Sequence, residues 1–184
     1  MTKSSLSNDQ KGHPPEVNSS FVHLHVHSEF SLLDGAIRVK GLLNKAETLG
    51  MDTVAITDHG NMFGAVQLSD QAARRGIKPI LGCEVYVAPG HRKDRGPSPE
   101  GAPKAFHLIL LVMNDEGYRN LSRLVTLGHL EGFYYHPRVD LEILKELNGG
   151  LIALSACLKG AIPYFIQRNQ ICLLYTSPSP RDRS

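Results

Sequence analysis

The sequence predicts an α/β fold on a mostly parallel sheet, and three observations carry that expectation. Short apolar runs, Met51–Thr57, Ile77–Val87, His107–Met113 and Leu151–Ala156, recur along the chain. Segments of helical period separate several of them, and strands alternating with helices of this length imply right-handed βαβ crossovers. Gly50 and Gly76 stand where the first two of these helices must stop.

Residues 1–20 hold Gly, Pro, Ser, Asn and charges with no apolar period, which predicts a disordered leader. Phe21–Ser28 reads as the first strand. Strand side chains alternate between faces, so His23, His25 and His27 share one face and Val22, Leu24 and Val26 the other. Val39, Leu42, Leu43, Ala46 and Leu49 then recur at helical spacing. After strand Met51–Thr57 a second helix is expected from about Met62 to Arg75, followed by strand Ile77–Val87. Ala88–Ala105 is rich in Pro and Gly and predicts a long surface loop. Its basic run His91-Arg92-Lys93 is interrupted by Asp94 and reads as solvated rather than as a phosphate contact.

Beyond strand His107–Met113, Asp115 is placed to cap a helix whose apolar face is Tyr118, Leu121, Leu124 and Val125. A shorter helix from Asp140, with Leu141, Leu144 and Leu147 inward, ends at Gly149-Gly150. Strand Leu151–Ala156 and an amphipathic stretch from Lys159 to Gln167 complete the pattern.

A 41% hydrophobic and 21% charged share over 184 residues belongs to an ordinary globular chain. The net charge of +2 argues neither for nor against nucleic acid. The longest apolar run, Leu108–Met113, is far too short to span a bilayer, and the start lacks a signal-peptide core. The expected compartment is the cytoplasm, with no membrane partner. Cys83, Cys157 and Cys172 make no disulfide framework, as befits reduced thiols. Cys83 should face away from Glu84 into the core, whereas Cys157 follows its strand toward the same end as the other polar residues.

Potential metal ligands cluster at the strand ends. The histidine row is joined by Asp58 and His59 after one strand, Glu84 within the next, His107 at the start of another and Cys157 after the last. One such residue per strand is how a barrel or an open α/β sheet collects a site at one rim. Mixed imidazole, carboxylate and thiolate donors suit zinc, and the carboxylates also admit manganese or iron.

His25-Val26-His27-Ser28 with Phe30-Ser31-Leu32-Leu33-Asp34-Gly35, Ile56-Thr57-Asp58-His59-Gly60-Asn61, and Gly76-Ile77-Lys78-Pro79-Ile80-Leu81-Gly82-Cys83-Glu84 resemble the polymerase and histidinol phosphatase (PHP) domain family. Gly132-Phe133-Tyr134, Pro137-Arg138 and Gly150–Leu158 extend the likeness through about Gln170. More closely, these stretches look like the branch of the family at the N-terminus of bacterial DNA polymerase III alpha subunits.

The resemblance implies a distorted (β/α)7 barrel, here partial and truncated at its C-terminal end, over residues 21–170. It implies two or three divalent metal ions, zinc or manganese, held by His25, His27, Asp34, His59, Glu84, His107 and Cys157. Asp58 would orient the site from behind, and His23 would pack beneath it. His91, His129 and His136 would lie on the surface. The family's closing Asp-x-His pair falls beyond Gln170.

The activity implied is phosphoester hydrolysis, as a 3′-to-5′ exonuclease beside a DNA-directed DNA polymerase. Its partners would be DNA and other holoenzyme subunits, reached through regions outside this chain. The 184-residue chain by itself would be a poor enzyme. Two alternatives stay open: a structural, metal-bound docking platform, and a stand-alone phosphatase of small phosphomonoesters. Finally, Cys172–Asp182 resembles a translated sequencing adapter codon for codon, which predicts that residues 171–184 are a non-native tail.

Overall fold

The computed structural model describes residues 21–98 and 102–170. The expected leader and the expected tail lie outside the described residues.

Helical spacing near the start produces α1 (Val39–Thr48) and α2 (Ala65–Ala73), which bury Val39, Leu43 and Ala46, and Ala65, Leu68 and Ala72. These side chains close over β1 (Thr53–Ile56), so that Val54 and Ile56 join one apolar cluster with Leu43, Leu68 and Ile77. Strand β2 (Lys78–Val87) is the spine of the sheet. Its first half runs parallel to β1, pairing Thr53 with Lys78 through Ile56 with Leu81.

The sheet is mixed rather than mostly parallel. Strand β3 (Phe106–Val112) pairs with β2 antiparallel, Gly82 opposite Leu111 through Val87 opposite Phe106. The physical reason lies in the connection: Ala88–Ala105 carries no crossover helix among its described residues, so the chain returns beside β2 in the opposite sense. Strand β6 (Leu151–Leu154) is again antiparallel to β3. Two further strands, β4 (Phe133–Tyr134) and β5 (His136–Val139), form a small hairpin whose second arm runs parallel to β2 at Tyr86 and Val87. The resulting order is β4-β5-β2-β3-β6, with β1 against β2.

A second cluster, including Val85, Leu110, Leu121, Leu124, Val139 and Ile143, fills the space between this sheet, α3 (Asp115–Leu130) and α4 (Leu141–Glu146). Helix α3 is capped by Asn114, whose side chain accepts from the Gly117 amide, rather than by Asp115. Asp140 caps α4 by accepting from the Ile143 amide. That cap turns Ile143 inward and leaves Leu141 52% exposed, against expectation. Helix α5 (Ala161–Gln167) follows β6.

The segment before Ser28 is not a strand. Phe21–His27 runs without a ladder, tied at Val26, whose carbonyl accepts from the Thr57 amide and whose amide donates to Thr57 Oγ1. His23 consequently stands exposed with its ring edge-on to Phe21, not packed beneath a site.

Candidate metal centre

Strand β2 presents Glu84 midway along the sheet, fully buried. Past β1 the chain keeps alongside β2: the Glu84 amide donates to the Asp58 carbonyl and the Gly60 amide to the Glu84 carbonyl, which sets His59 beside Glu84. The antiparallel return then brings His107, opposite Tyr86, to the same place. Thr57, holding Val26, delivers the histidines on either side of that residue.

Four imidazoles face the Glu84 carboxylate. Oε2 lies 2.6 Å from His25 Nε2 and 3.6 Å from His27 Nε2. Oε1 lies 3.1 Å from His59 Nδ1 and also meets His107 Nδ1. These residues form two triads that share one carboxylate, His25–His27–Glu84 and His59–Glu84–His107, each with donor atoms within 4.8 Å of one another. Asp34 flanks the second triad, its Oδ2 3.0 Å from His59 Nε2. Cys157 flanks it on the other side, with Sγ 3.8 Å from His107 Nδ1. Asp34 and Cys157 are both exposed, so the centre meets solvent at each flank.

Around the Glu84 oxygens, proximity is not hydrogen bonding. Both Glu84 oxygens, His27 Nδ1 and His59 Nδ1 are buried without an aligned hydrogen-bond partner among the described residues. No Lys or Arg among them neutralises Glu84 either. A buried carboxylate so placed is costly unless it is matched by a cation. Lone-pair donors converging on an unmatched anion are the arrangement a divalent ion fits.

Burial alone would raise the Glu84 carboxyl, but contacts with His107 and His59 hold it well below the usual carboxylate range. The Glu84 contact raises His59 above an ordinary imidazole, whereas burial lowers His27. Burial likewise pushes the Tyr86 phenol up to about 12.

Asp58 stands one layer back, its carboxylate taken up by two serines. Its Oδ1 accepts from the Ser28 amide at 2.6 Å and from Ser31 Oγ at 2.7 Å, and its Oδ2 accepts from Ser28 Oγ at 2.7 Å. It thereby fixes the turn that joins the histidine row to Asp34. Cys83 is buried in the core, facing away from the imidazoles.

Two residues at the centre escaped sequence reasoning. Tyr86 follows Glu84 by two along β2 and so shares its face, a signal that was available. His136, expected on the surface, instead lies on β5, half-buried and stacked on Tyr86 at 4.3 Å. His129 is exposed as expected, yet its Nε2 reaches the Gly60 carbonyl at 3.0 Å. A third triad, His91–Asp140–Glu142, lies elsewhere, and there the Arg92 guanidinium already pairs with Asp140 at 3.0 Å.

The family model described as "PHP domain" matches residues 23–179. A DNA polymerase III subunit alpha of Treponema pallidum is 51% identical over 147 residues, covering 80% of this chain and 12% of that protein. Its counterpart from Helicobacter pylori is 47% identical over 152 residues, covering 83% and 12%. The chain thus spans about an eighth of the length of these curated relatives. Among solved structures, an amidohydrolase from Chromobacterium violaceum superposes with a TM-score of 0.41 at 27% identity, over 57% of this chain and 32% of that one. No helix among the described residues is long and apolar enough to cross a membrane.

Proposed function

The chain belongs to the PHP domain family, and from that membership we propose that the Glu84 cluster is a multi-metal centre that hydrolyses phosphoesters. One observation carries the reading: four imidazoles and two flanking donors gather around a buried carboxylate that no Lys or Arg among the described residues pairs with. His25, His27 and Glu84 Oε2 would hold one ion, and His59, His107 and Glu84 Oε1 a second. Asp34 and Cys157 extend the donor set at the solvent side. The donors favour zinc and admit manganese. Bound there, divalent ions would supply Lewis acidity toward a phosphoryl oxygen and would lower the pKa of an attacking water toward neutrality. Glu84 would supply one carboxylate oxygen to each triad, while Asp58 keeps the Ser28–Ser31 turn, and with it Asp34, in register.

The likeness to DNA polymerase III alpha subunits supports a more specific assignment. This chain would be the PHP region of such a subunit, in the cytoplasm, acting on the phosphodiester at the 3′ end of a DNA strand as a proofreading exonuclease. Polymerisation and the contacts to other holoenzyme subunits would lie in the remaining length of the protein. A second reading has its own support. The Phe21–His27 segment is tied to the sheet at Val26 and Thr57, so ions gripped by His25 and His27 would staple it in place and contribute folding free energy.

Metal content after dialysis tests the centre, and 3′-terminal nucleotide release by a protein of the relatives' full length tests its use. Two or more zinc or manganese ions per chain are expected, falling in Glu84→Gln. Exonuclease activity should be lost in a folded His25→Ala variant. A metal-free wild-type chain would overturn the centre, and full activity in folded His25→Ala would leave only the stapling role.

A further inference from the structure

Planar groups continue past the metal centre in an unbroken series. His27 stacks on His59 at 4.1 Å, His59 on Tyr86 at 6.1 Å and Tyr86 on His136 at 4.3 Å, with successive planes within 26° of one another. The last ring belongs to the β4–β5 hairpin. Gly60 admits that hairpin, because a Cβ there would meet Pro137 Cγ at 2.6 Å and Tyr86 Cε2 at 3.2 Å. At its tip Tyr135 adopts φ +61°, a conformation that L side chains with bulk rarely accept, and leaves its ring 75% exposed. The neighbouring Tyr134 ring, edge-on to Tyr135 at 4.7 Å, is meanwhile covered by Lys104 and Arg138. A further cation, Lys159, is exposed beside His107, whose amide donates to the Lys159 carbonyl.

We propose that this hairpin is a nucleobase platform: Tyr135 and His136 stack the terminal bases of a single-stranded nucleic acid whose backbone runs past Lys159 to the Glu84 centre. The inference rests on the phosphoesterase reading for its direction, since the strand must end at the metals. Exposed aromatic faces beside cations are how proteins hold unpaired strands without reading sequence. A duplex keeps all but the outer faces of its end pairs stacked inside, and those end pairs cannot splay apart to lay successive bases on Tyr135 and His136. Charge complementarity favours a polyanion over a protein partner, because Lys104 borders the Tyr134 ring, Lys159 is exposed beside His107, and the nearby carboxylates Glu84 and Asp34 are engaged by imidazoles.

Binding of a fluorescent oligothymidylate to the full chain tests this, with an abasic oligonucleotide of equal length and a blunt duplex as comparisons. Tyr135→Asn keeps a residue type at ease with positive φ, and Tyr135→Trp restores an aromatic face. About tenfold weaker oligothymidylate binding is expected for Tyr135→Asn, with recovery in Tyr135→Trp and little change for the abasic strand. Equal binding of intact and abasic strands, tight binding of the duplex, or indifference to Tyr135→Asn would overturn the platform, the last marking the hairpin as a surface for another protein domain. Metal content, measured on the same wild-type protein, reports separately on the reading beneath: a metal-free chain that still binds through Tyr135 would sink the phosphoesterase and spare the platform.

Discussion

His25 Nε2 and His27 Nε2 lie 3.0 Å apart while both face the same oxygen of Glu84. Neutral imidazoles in that arrangement either share a proton or oppose their lone pairs, and a divalent cation removes the conflict. Zinc should therefore raise thermal stability, by about 2.7 kcal/mol at 100 times its dissociation constant, roughly 5 to 10 °C. A chelator should reverse the shift. Melting curves indifferent to both additions would count against any ion at this place.

Asp58→Asn should loosen the centre from behind. Asparagine can keep the Ser28 amide and Ser31 hydroxyl on Oδ1 and turn its amide nitrogen to Ser28 Oγ, but it removes the carboxylate charge that strengthens all three contacts. A loss of about 2 kcal/mol in urea unfolding is expected, with zinc affinity down by about 10- to 100-fold. Unaltered zinc affinity by titration calorimetry would show that the turn does not position the ligands.

Gly60→Ala and Gly41→Ala should move stability in opposite directions. At Gly60 the backbone is left-handed, φ +64°, and Pro137 already fills the space a methyl would take. Unfolding should become easier by at least about 2 kcal/mol. Gly41 lies exposed within α1 with nothing within 4 Å of a built Cβ, so alanine there should stabilise by up to about 1 kcal/mol. Chemical denaturation of the two variants side by side checks both signs.

Asp140 predicts how the long loop responds to acid. Burial would raise its carboxyl, but the Arg92 and Ile143 amides and the Arg92 guanidinium hold it below the ordinary range. A carboxylate whose folded value lies below its unfolded one stabilises fully above about pH 4. That contribution is lost as pH falls through the folded value. Denaturation midpoints should thus drop more steeply below pH 4 in the wild type than in Asp140→Asn, which itself starts about 2 kcal/mol weaker. Parallel pH profiles would remove Asp140 from the acid response.

Much of this architecture was legible because apolar period is a strong local signal. Val39, Leu43 and Ala46, or the run from Phe106 to Val112, bury as their spacing demands. Strand direction was less legible: it depends on what the connection contains, and the Ala88–Ala105 segment, without a helix among its described residues, held the clue to antiparallel return. The β4–β5 hairpin left no period to read, since its arms are short and Pro137 and a left-handed Tyr135 interrupt them. At the centre, residue types pointed to His25, His27, His59, Glu84, His107 and Cys157, and the family resemblance added Asp34; the fold gathers these within a few ångströms of one another or at the flank. His136 could not be found that way, because its place follows from a pairing between segments about fifty residues apart.

One carboxylate serves both histidine pairs, Oε2 toward His25 and His27, Oε1 toward His59 and His107. A first guest that neutralises it leaves a later one only half of an already spent negative charge, so filling should be stepwise and anticooperative. By linkage the handicap is mutual: whichever pair loads first, the other weakens by the same factor.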